Sequence, residues 1–380
     1  MMPSENVYCA VRSPFRPEFL VAGFGIVSDV VAQGALIAMI SRVLSDDIAI
    51  DLGTANTLVY VLGRGVVIDE PSLVAVQNRG GVREILAVGE RASTMVGRTP
   101  EAVEAIHPLR DGVIADFVAT EEMLRQFIRR AKSIYHLRRP RILICVPAGA
   151  TPVERRAVYE TAVSAGARKV YLIEEPVAAA IGAGLAIEEP VAQMVVDIGG
   201  GTTDIAVLAM GNVVQARSLR RAGNAFDEAI VRFVRREHQL LIGPASAERI
   251  KIGAGTASKA AGGRAAEIRI KGRDLTHGKP KAIVLTPFDI AGAIEACIAD
   301  IEEFIQRSIE ELPADVRADV LKRGILLSGG GALLQGLDRE LERRLGIGFK
   351  MPEQPTQCVV AGTARVLETL SKQRHLLIEP

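Results

Sequence analysis

Residue types suited to phosphate chemistry are concentrated in residues 194–210, which read MVVDIGGGTTDIAVLAM. Asp197 ends an apolar run, and a second apolar run follows five small or hydroxylated residues: Gly199, Gly200, Gly201, Thr202 and Thr203. This order predicts a strand, a tight turn and a returning strand. Glycines let backbone N–H groups approach a phosphate, hydroxyls add donors, and an aspartate at the strand end can hold hydrated Mg²⁺. The alternative is a glycine hairpin that binds no ligand.

The same order of residue types occurs in residues 48–62, IAIDLGTANTLVYVL. When the two stretches are aligned on their aspartates, Asp51 corresponds to Asp197. Small and polar residues again follow: Gly53, Thr54, Ala55, Asn56 and Thr57. Two copies so far apart predict two domains of similar topology, each presenting a hairpin to one cleft. The duplication therefore favours a polyphosphate held from both sides over a hairpin without a ligand.

The composition is typical of a large α/β protein. The 380 residues include 46 basic and 45 acidic side chains, and 48% are hydrophobic. This length predicts two or more domains, and the balanced charge gives no electrostatic argument for nucleic-acid binding. The cysteines form no CxxC or Cys/His cluster and are predicted to be buried free thiols in a reducing compartment. They are Cys9, Cys145, Cys297 and Cys358.

The N-terminal extension, residues 1–38, differs from the rest of the chain and is predicted to be disordered or to precede the native start. Residues 19–40 are nearly long enough to span a bilayer, but Ser28, Asp29 and Gln33 interrupt the apolar stretch. A membrane anchor, a signal-like segment and translated upstream sequence before a start at Met39 are the three interpretations. The signal is least favoured because no small-residue cleavage site stands out.

Residues 39–47 are predicted to form an amphipathic tip. The apolar side chains of residues 39–44 fall on one helical face with Arg42 to the side, an arrangement that can dip into a lipid interface. An ordinary first helical turn explains this pattern equally well.

Several further elements are predicted to position the two hairpins. Residues 141–146 and 169–173 are predicted to be buried strands, and residues 254–284 a small polar subdomain. The predicted helices cover residues 120–133, 151–165, 177–185, 226–236, 247–253 and 359–370. Thr120 is the predicted cap of the first, and Thr151 and Glu154 form a capping box at the start of the second. A further helix is predicted to begin at Thr286, because isoleucines follow it at helical spacing. Residues 324–337 are predicted to form a strand, a glycine turn and a helix whose N-terminus could face a nucleotide.

Together these motifs resemble the actin, heat-shock chaperone and sugar-kinase ATPase superfamily, and within it the MreB family of bacterial actins. The stretches that carry the resemblance are IAIDLGTANTLVYV, GRTP (97–100), PLRDGVIADF (108–117), LIEEPVAAAIGAGL (172–185), VVDIGGGTTDIAV, AERIKIG (247–253) and LSGGGALLQGL (327–337). The resemblance runs from about residue 40 to residue 370.

The resemblance implies an α/β fold with two similar actin-like (ribonuclease H-like) domains around a central ATP cleft, each with a small peripheral subdomain. Domain I would cover residues 48–187, with its small subdomain at about 77–112, and the C-terminal helix 359–372 would complete it. Domain II would cover residues 188–358, with its small subdomain at about 225–284.

The resemblance also implies site roles. Asp51 and Asp197 would hold Mg²⁺ through water, and Glu175 would orient the attacking water with help from Thr202. The implied nucleotide-binding positions are Gly53, Thr54, Ala55, Asn56, Thr57, Gly199, Gly200, Gly201, Thr202, Thr203, Gly223, Asn224, Glu248, Lys251, Gly329, Gly330, Gly331 and Ala332.

Alternatives remain for two of these assignments. A carboxylate at a helix start suits the role given to Glu175, because proteins catalyse phosphoryl transfer mainly by positioning groups and neutralising charge. The alternative is a helix-start acid satisfied by the helix dipole, and Glu174 is the competing carboxylate, predicted to point to the other side. Glu248 and Lys251, three residues apart on one helix face, could be only a surface ion pair.

The implied function is that of an ATPase whose slow hydrolysis is coupled to polymerisation. Its filaments would lie in the cytoplasm on the inner face of the cytoplasmic membrane and organise cell-wall elongation to maintain rod shape. The implied partners are other copies of the chain, the lipid surface, MreC, MreD, RodZ and wall synthases. A chaperone-type ATPase is less favoured because 380 residues leave no room for a peptide-binding domain. A small-molecule kinase is less favoured because no motif supplies an aspartate base.

Overall fold

The structure is a computed structural model that describes residues 47–79, 82–95, 103–132, 139–258 and 267–380. Its strands are β1 (Ile48–Leu52), β2 (Asn56–Val61), β3 (Gly65–Pro71), β4 (Val74–Arg79), β5 (Val82–Val88), β6 (Val103–Ile106), β7 (Leu109–Arg110), β8 (Val113–Ile114), β9 (Arg141–Val146), β10 (Lys169–Glu174), β11 (Gln193–Ile198), β12 (Thr203–Ala209), β13 (Asn212–Leu219), β14 (Leu240–Leu241), β15 (Ile268–Asp274), β16 (Pro280–Leu285), β17 (Ile325–Ser328), β18 (Phe349–Lys350) and β19 (Leu377–Ile378).

The helices are α1 (Glu90–Ser93), α2 (Phe117–Ala131), α3 (Pro152–Ser164), α4 (Glu175–Gly182), α5 (Gly223–His238), α6 (Pro244–Ala254), α7 (Pro287–Glu310), α8 (Ala314–Arg323), α9 (Leu337–Leu345) and α10 (Cys358–Glu368). Short 3₁₀ turns cover Gly331–Leu333, Pro355–Gln357 and Arg374–Leu376.

Two large mixed sheets repeat one topology. The first sheet has the order β19-β10-β9-β1-β2-β3, and the second has the order β13-β12-β11-β17-β18. In each sheet three antiparallel strands are followed by two parallel ones, so that β3-β2-β1-β9-β10 corresponds to β13-β12-β11-β17-β18. The predicted duplication is therefore confirmed at the level of strand order, and the fold is the actin-like α/β fold. The exact domain boundaries stay a prediction.

Smaller sheets accompany the two large ones. β4, β5 and β6 form one three-stranded sheet, and β14, β15 and β16 form another. Each lies largely within the stretch predicted to be a small subdomain. At the C-terminus, β19 pairs with β10, so the end of the chain returns to the first sheet.

Local sequence patterns explain the starts of two helices, α3 and α7. Thr151 and Glu154 form the predicted capping box of α3, and Thr286 forms another with Asp289 at the start of α7. The predicted apolar face of α7 is buried in the core of the second half: Ile290, Ile294, Ile298, Ile301 and Ile305. Burying this face stabilises the helix against the sheet by about 25 cal/mol per Å² of apolar area removed from water.

The predicted start of α2 is wrong. The helix begins at Phe117, and Asp116 is its N-cap, because the Asp116 carboxylate accepts a hydrogen bond from the N–H of Ala119 at 2.9 Å. Thr120 cannot cap, since its hydroxyl donates to the carbonyl of Asp116 at 2.7 Å. A carboxylate three residues before a backbone donor is the geometry of a helix cap.

Some predictions lie outside the described residues, namely the extension at 1–38, the tip up to residue 46, the GRTP stretch and Cys9. Cys145, Cys297 and Cys358 are buried free thiols, as predicted. Over the described ranges, none of the helices combines the length and apolar character needed to cross a bilayer.

Helices α4 and α10 lie in an apolar cluster that includes side chains from both large sheets. The two helices touch through glycine: a Cβ on Gly182 would overlap the carbonyl oxygen of Cys358, and a Cβ on Gly362 would overlap that of Ala178. The absence of a side chain at Gly182 and Gly362 therefore lets the two helices pack closely. Gly184 serves differently, since its φ of 78° is left-handed and no atom of the described residues lies within 4 Å of an added Cβ.

Replacing Gly362 by alanine is expected to lower the free energy of unfolding by about 3 kcal/mol, because the added methyl must push α4 and α10 apart. Urea unfolding followed by circular dichroism measures this change. The control is Gly348→Ala, where an added Cβ has no neighbour within 4 Å in the described part of the chain and the effect should stay below about 1 kcal/mol. Equal stability of the two variants would contradict the packing argument.

Candidate functional site

Both predicted hairpins form, and their turns have similar geometry. β1 pairs with β2 so that Leu52 lies opposite Thr57, and β11 pairs with β12 so that Ile198 lies opposite Thr203. In the second turn the N–H of Gly199 donates to the carbonyl of Thr202 at 2.9 Å. The apolar runs become buried strands, and the small residues between them form the turns.

The two turns meet although they belong to different sheets. A Cβ on Gly200 would lie 2.7 Å from the Cβ of Ala55, and a Cβ on Gly201 would lie 2.6 Å from Thr54 Oγ1. Such spacings are too short for any side chain, so glycine is required at both positions. The turns therefore share one site, as the duplication predicted.

Four carboxyl groups interact at this site. Glu175, Asp197 and Asp204 are buried, while Asp51 is half-buried. Burial raises the pKa of Asp51 to about 7, with further contributions from the charges of Asp197 and Asp69. Burial also raises the pKa of Asp197 to about 7, against a lowering contribution from a hydrogen bond with Ser328.

Glu175 belongs to the same group. Burial raises its pKa well above the usual range, and the charges of Asp204, Asp51 and Asp197 raise it further. A helix dipole would lower this pKa, and here burial and the neighbouring carboxyl groups outweigh any such contribution. The role of Glu175 in orienting water stays a prediction.

Glu174 has different surroundings. It is less buried than Glu175 and makes no cap hydrogen bond at the start of α4. Burial raises its pKa, the charge of Asp204 adds to the rise, and Arg155 opposes it. Its charged neighbours are thus Asp204 and Arg155 rather than the two hairpin aspartates.

The carboxylates fit a hydrated cation. Asp197 Oδ1 and Asp204 Oδ2 are buried and have no hydrogen-bond partner within the part of the chain that the structure describes. Within those same ranges, no three His, Cys, Asp or Glu side chains are grouped closely enough to ligate a metal together. Mg²⁺ keeps several of its waters in protein sites. Asp51 and Asp197 could therefore hold it through water, as the resemblance implied.

Asp204 is a site residue that the sequence interpretation missed. Its Oδ1 accepts from the N–H of Ala148 at 2.9 Å, and the hydroxyls of Thr202 and Ser218 also donate to the carboxylate. Burial nevertheless raises its pKa to about 6. An aspartate near the start of an otherwise mainly apolar strand was the available signal. Asp204 joins the second hairpin to the loop after β9 and holds the hydroxyl of Thr202.

The threonines of the first hairpin are already engaged. Thr54 Oγ1 accepts from the N–H of Gly112 at 2.8 Å, and Thr57 is fully buried with its hydroxyl 2.8 Å from Ser72 Oγ. Asn56 is exposed. The hydroxyl of Thr57 therefore supports the turn from behind, and its predicted direct contact with a nucleotide finds no support in this geometry.

Gly223 and Asn224 hold the second turn. Their N–H groups donate to the carbonyls of Gly199 and Gly200, at 3.1 and 2.8 Å. Thr203 Oγ1 donates to the carbonyl of Arg221 at 2.7 Å. These backbone donors are thus directed at the turn, and contact of the two residues with a nucleotide stays a prediction.

Lys251 lies beside the second turn, but Glu248 is not its partner. The Lys251 ammonium donates to Asp227 Oδ2 at 2.7 Å and to the carbonyl of Gly223 at 3.1 Å, whereas Glu248 is exposed. The alternative of a Glu248–Lys251 surface pair is therefore wrong. Burial raises the pKa of Asp227 to about 6 although Lys251 lowers it, and its Oδ1 lacks a partner among the described residues.

The third glycine turn packs against the second hairpin. Gly329 has a φ of 87°, and a Cβ on Gly329 or Gly331 would overlap Ile198. Ala332 is buried, and Gly330 is exposed. The predicted helix directly after the glycines is wrong, because a 3₁₀ turn follows them and α9 begins only at Leu337. Contact of this turn with a nucleotide stays a prediction.

Comparisons with known proteins agree with this geometry. A family model described as MreB/Mbl protein matches residues 45–375. The cell shape-determining protein MreB of Escherichia coli (strain K12) is 48% identical over 329 residues, which cover 86% of this chain and 94% of the relative. The cell shape-determining protein Mbl of Bacillus subtilis (strain 168) is 46% identical over 326 residues, covering 86% and 97%.

A solved structure shows the same likeness. The crystal structure of MreB5 of Spiroplasma citri bound to ADP has a TM-score of 0.81 at 35% identity, covering 87% of this chain and 98% of that one. The same protein bound to AMPPNP gives the same values.

Proposed function

This chain belongs to the MreB/Mbl family, and on that premise we propose that it is an ATP-dependent filament-forming bacterial actin. Its filaments would assemble at the inner membrane and organise cell-wall elongation to maintain rod shape. The observation that carries the proposal is the meeting of the two duplicated turns, with Asp51, Glu175, Asp197 and Asp204 around them.

Each group of residues at the site would have its own role in ATP binding and hydrolysis. The backbone N–H groups of the two turns would bind the phosphates. Asp51 and Asp197 would hold Mg²⁺ through water, and the ion would neutralise charge on the phosphates. Glu175 would orient water for attack on the terminal phosphorus, and Asp204 would keep the hydroxyl of Thr202 in place for the same task. Lys251 and Asp227 would border the nucleoside.

Nucleotide state would control assembly through the contact between the two halves. Because the turns come from separate sheets, a triphosphate held by both would bring the halves together. The closed arrangement would favour head-to-tail contacts, which propagate as open filaments, and slow hydrolysis would weaken them. The nucleotide complexes of MreB5 support ATP as the ligand.

We further propose the cellular setting. The protein would lie in the cytoplasm, peripheral on the inner membrane, and work with MreC, MreD, RodZ and wall synthases. Residues 39–47 would contact lipid, and a weak tip would suffice because many tips on one filament add avidity.

Sedimentation of the full chain tests the proposal. With Mg²⁺ and ATP or AMPPNP, most of the protein should pellet as filaments visible by electron microscopy, and much less should pellet without nucleotide. Anionic liposomes should pellet with these filaments, and deletion of residues 39–44 should reduce this co-sedimentation. A protein that binds ATP but stays monomeric would contradict the filament proposal, and unchanged lipid binding after the deletion would contradict the tip.

A further inference from the structure

Ser72 lies where the chain leaves the first large sheet for the small sheet β5-β4-β6. It directly follows β3, is separated from β4 by Leu73 alone and has no exposed surface. Its N–H donates to the carbonyl of Ala55 at 2.8 Å, and its Oγ donates to the carbonyl of Gly53 at 2.6 Å. One residue outside the hairpin therefore holds two carbonyls of the first turn.

Two more hydrogen bonds fix Ser72 itself. A serine hydroxyl has one hydrogen, which Ser72 directs to Gly53, so Thr57 Oγ1 is the donor in its 2.8 Å contact with Ser72 Oγ. A carbonyl oxygen only accepts, so His107 Nδ1 carries the hydrogen in its 3.1 Å contact with the Ser72 carbonyl. His107 directly follows β6, and this contact ties Ser72 to the small sheet.

The hydrogen bonds from Ser72 fix the orientation of two peptide units in the first turn. In a trans peptide unit the C=O and N–H groups point in opposite directions. By holding the carbonyls of Gly53 and Ala55, Ser72 therefore directs the N–H groups of the next residues, Thr54 and Asn56, to the opposite side of the turn. The second turn uses backbone donors for the same purpose, since Gly223 and Asn224 hold its carbonyls.

We propose that Ser72 is a positioning residue for the first phosphate-binding turn. It fixes the two peptide planes whose N–H groups, those of Thr54 and Asn56, bind the nucleotide phosphates. This inference rests on the proposed nucleotide site. It also makes the small sheet part of the support for phosphate binding, through His107.

The test compares phosphate-bearing and phosphate-free ligands on the full chain. Displacement of a fluorescent ADP by ADP, AMPPNP or adenosine gives the affinities in the presence of Mg²⁺. Ser72→Ala leaves the carbonyl of Gly53 without its donor, and we expect about tenfold weaker binding of ADP and AMPPNP. Adenosine, which lacks phosphates, should bind within about twofold of the parent affinity. A general loss of structure would weaken all three ligands alike.

Ser308→Ala is the matched control. Ser308 is equally buried, and its hydroxyl donates to the carbonyl of Phe304 at 2.8 Å within α7, so the same group is lost away from the turn. Its affinities should stay within about twofold of those of the parent. Ser72→Cys, with a similar shape and a weaker donor, should be intermediate.

Each further outcome has a defined meaning. Parent-like ADP binding by Ser72→Ala, or an equal loss for adenosine, would overturn the role of Ser72 while leaving the nucleotide site intact. A parent that binds no ADP would overturn both proposals. If circular dichroism shows that Ser72→Ala does not fold, Thr57→Val and Thr57→Ser replace it. The valine variant should weaken ADP binding severalfold and the serine variant should not, and equal binding by the two would contradict the inference.

Discussion

Replacing Glu175 by glutamine is expected to slow ATP hydrolysis by about 100-fold or more, while ATP binding changes little. The amide keeps the shape of the side chain but lacks the negative charge that would orient the attacking water. Binding is preserved or improved, because the substitution removes one of four interacting carboxyl groups at a buried site. Phosphate release at saturating ATP, together with an equilibrium binding measurement, separates the two effects.

Glu174→Gln is the control for this result. Glu174 precedes Glu175 in the chain and is partly buried, but its charged neighbours are Asp204 and Arg155. Its hydrolysis rate should remain within about threefold of that of the parent. A Glu175→Gln protein that hydrolyses ATP at the parent rate would eliminate the catalytic assignment, and a larger loss in Glu174→Gln would transfer it to that residue.

Asp197→Asn is expected to weaken Mg²⁺-dependent ADP binding by about 10–100-fold, the usual cost of losing a group that holds a metal through its outer shell. The same substitution should make the nucleotide-free protein more stable at alkaline pH, because an amide carries no charge to desolvate. Weaker ADP binding together with higher stability would show that the Asp197 carboxylate serves nucleotide binding and does not stabilise the fold.

The pH dependence follows from the raised pKa. In the folded protein the pKa of Asp197 is about 7, against an ordinary value of 3.8. The folded state therefore binds this proton more tightly than the unfolded state, and the resulting stability is lost as the pH rises through about 7. The free energy of unfolding should fall by about 1 kcal/mol between about pH 6 and pH 8 for one such group, and Asp197→Asn should flatten this slope.

Urea titrations of the nucleotide-free protein at several pH values measure the slope. The exposed Asp315 offers a control, since Asp315→Asn should leave both the slope and ADP binding close to those of the parent. An unchanged slope in Asp197→Asn would show that the hairpin aspartates do not share a desolvated site.

Local patterns predicted the supporting elements well. The strand over residues 141–146, the capping box of α3, the start of α7 and both hairpins depend on residues within a few positions of one another, and all are confirmed. The start of α2 was misplaced because Asp116 and Thr120 both carry oxygen atoms able to cap a helix. Only the folded geometry shows that the threonine hydroxyl is occupied by the backbone.

The sequence by itself determined the duplicated turns, the family and the carboxylates Asp51, Glu175 and Asp197. These features can be recognised from the sequence because each motif consists of consecutive residues. The tertiary structure decided the partners. Asp227 rather than Glu248 pairs with Lys251, Asp204 joins the acidic group, and Ser72 holds the first turn. Such contacts join residues many positions apart, since desolvation and hydrogen-bond geometry select among many polar side chains only after the sheets have packed.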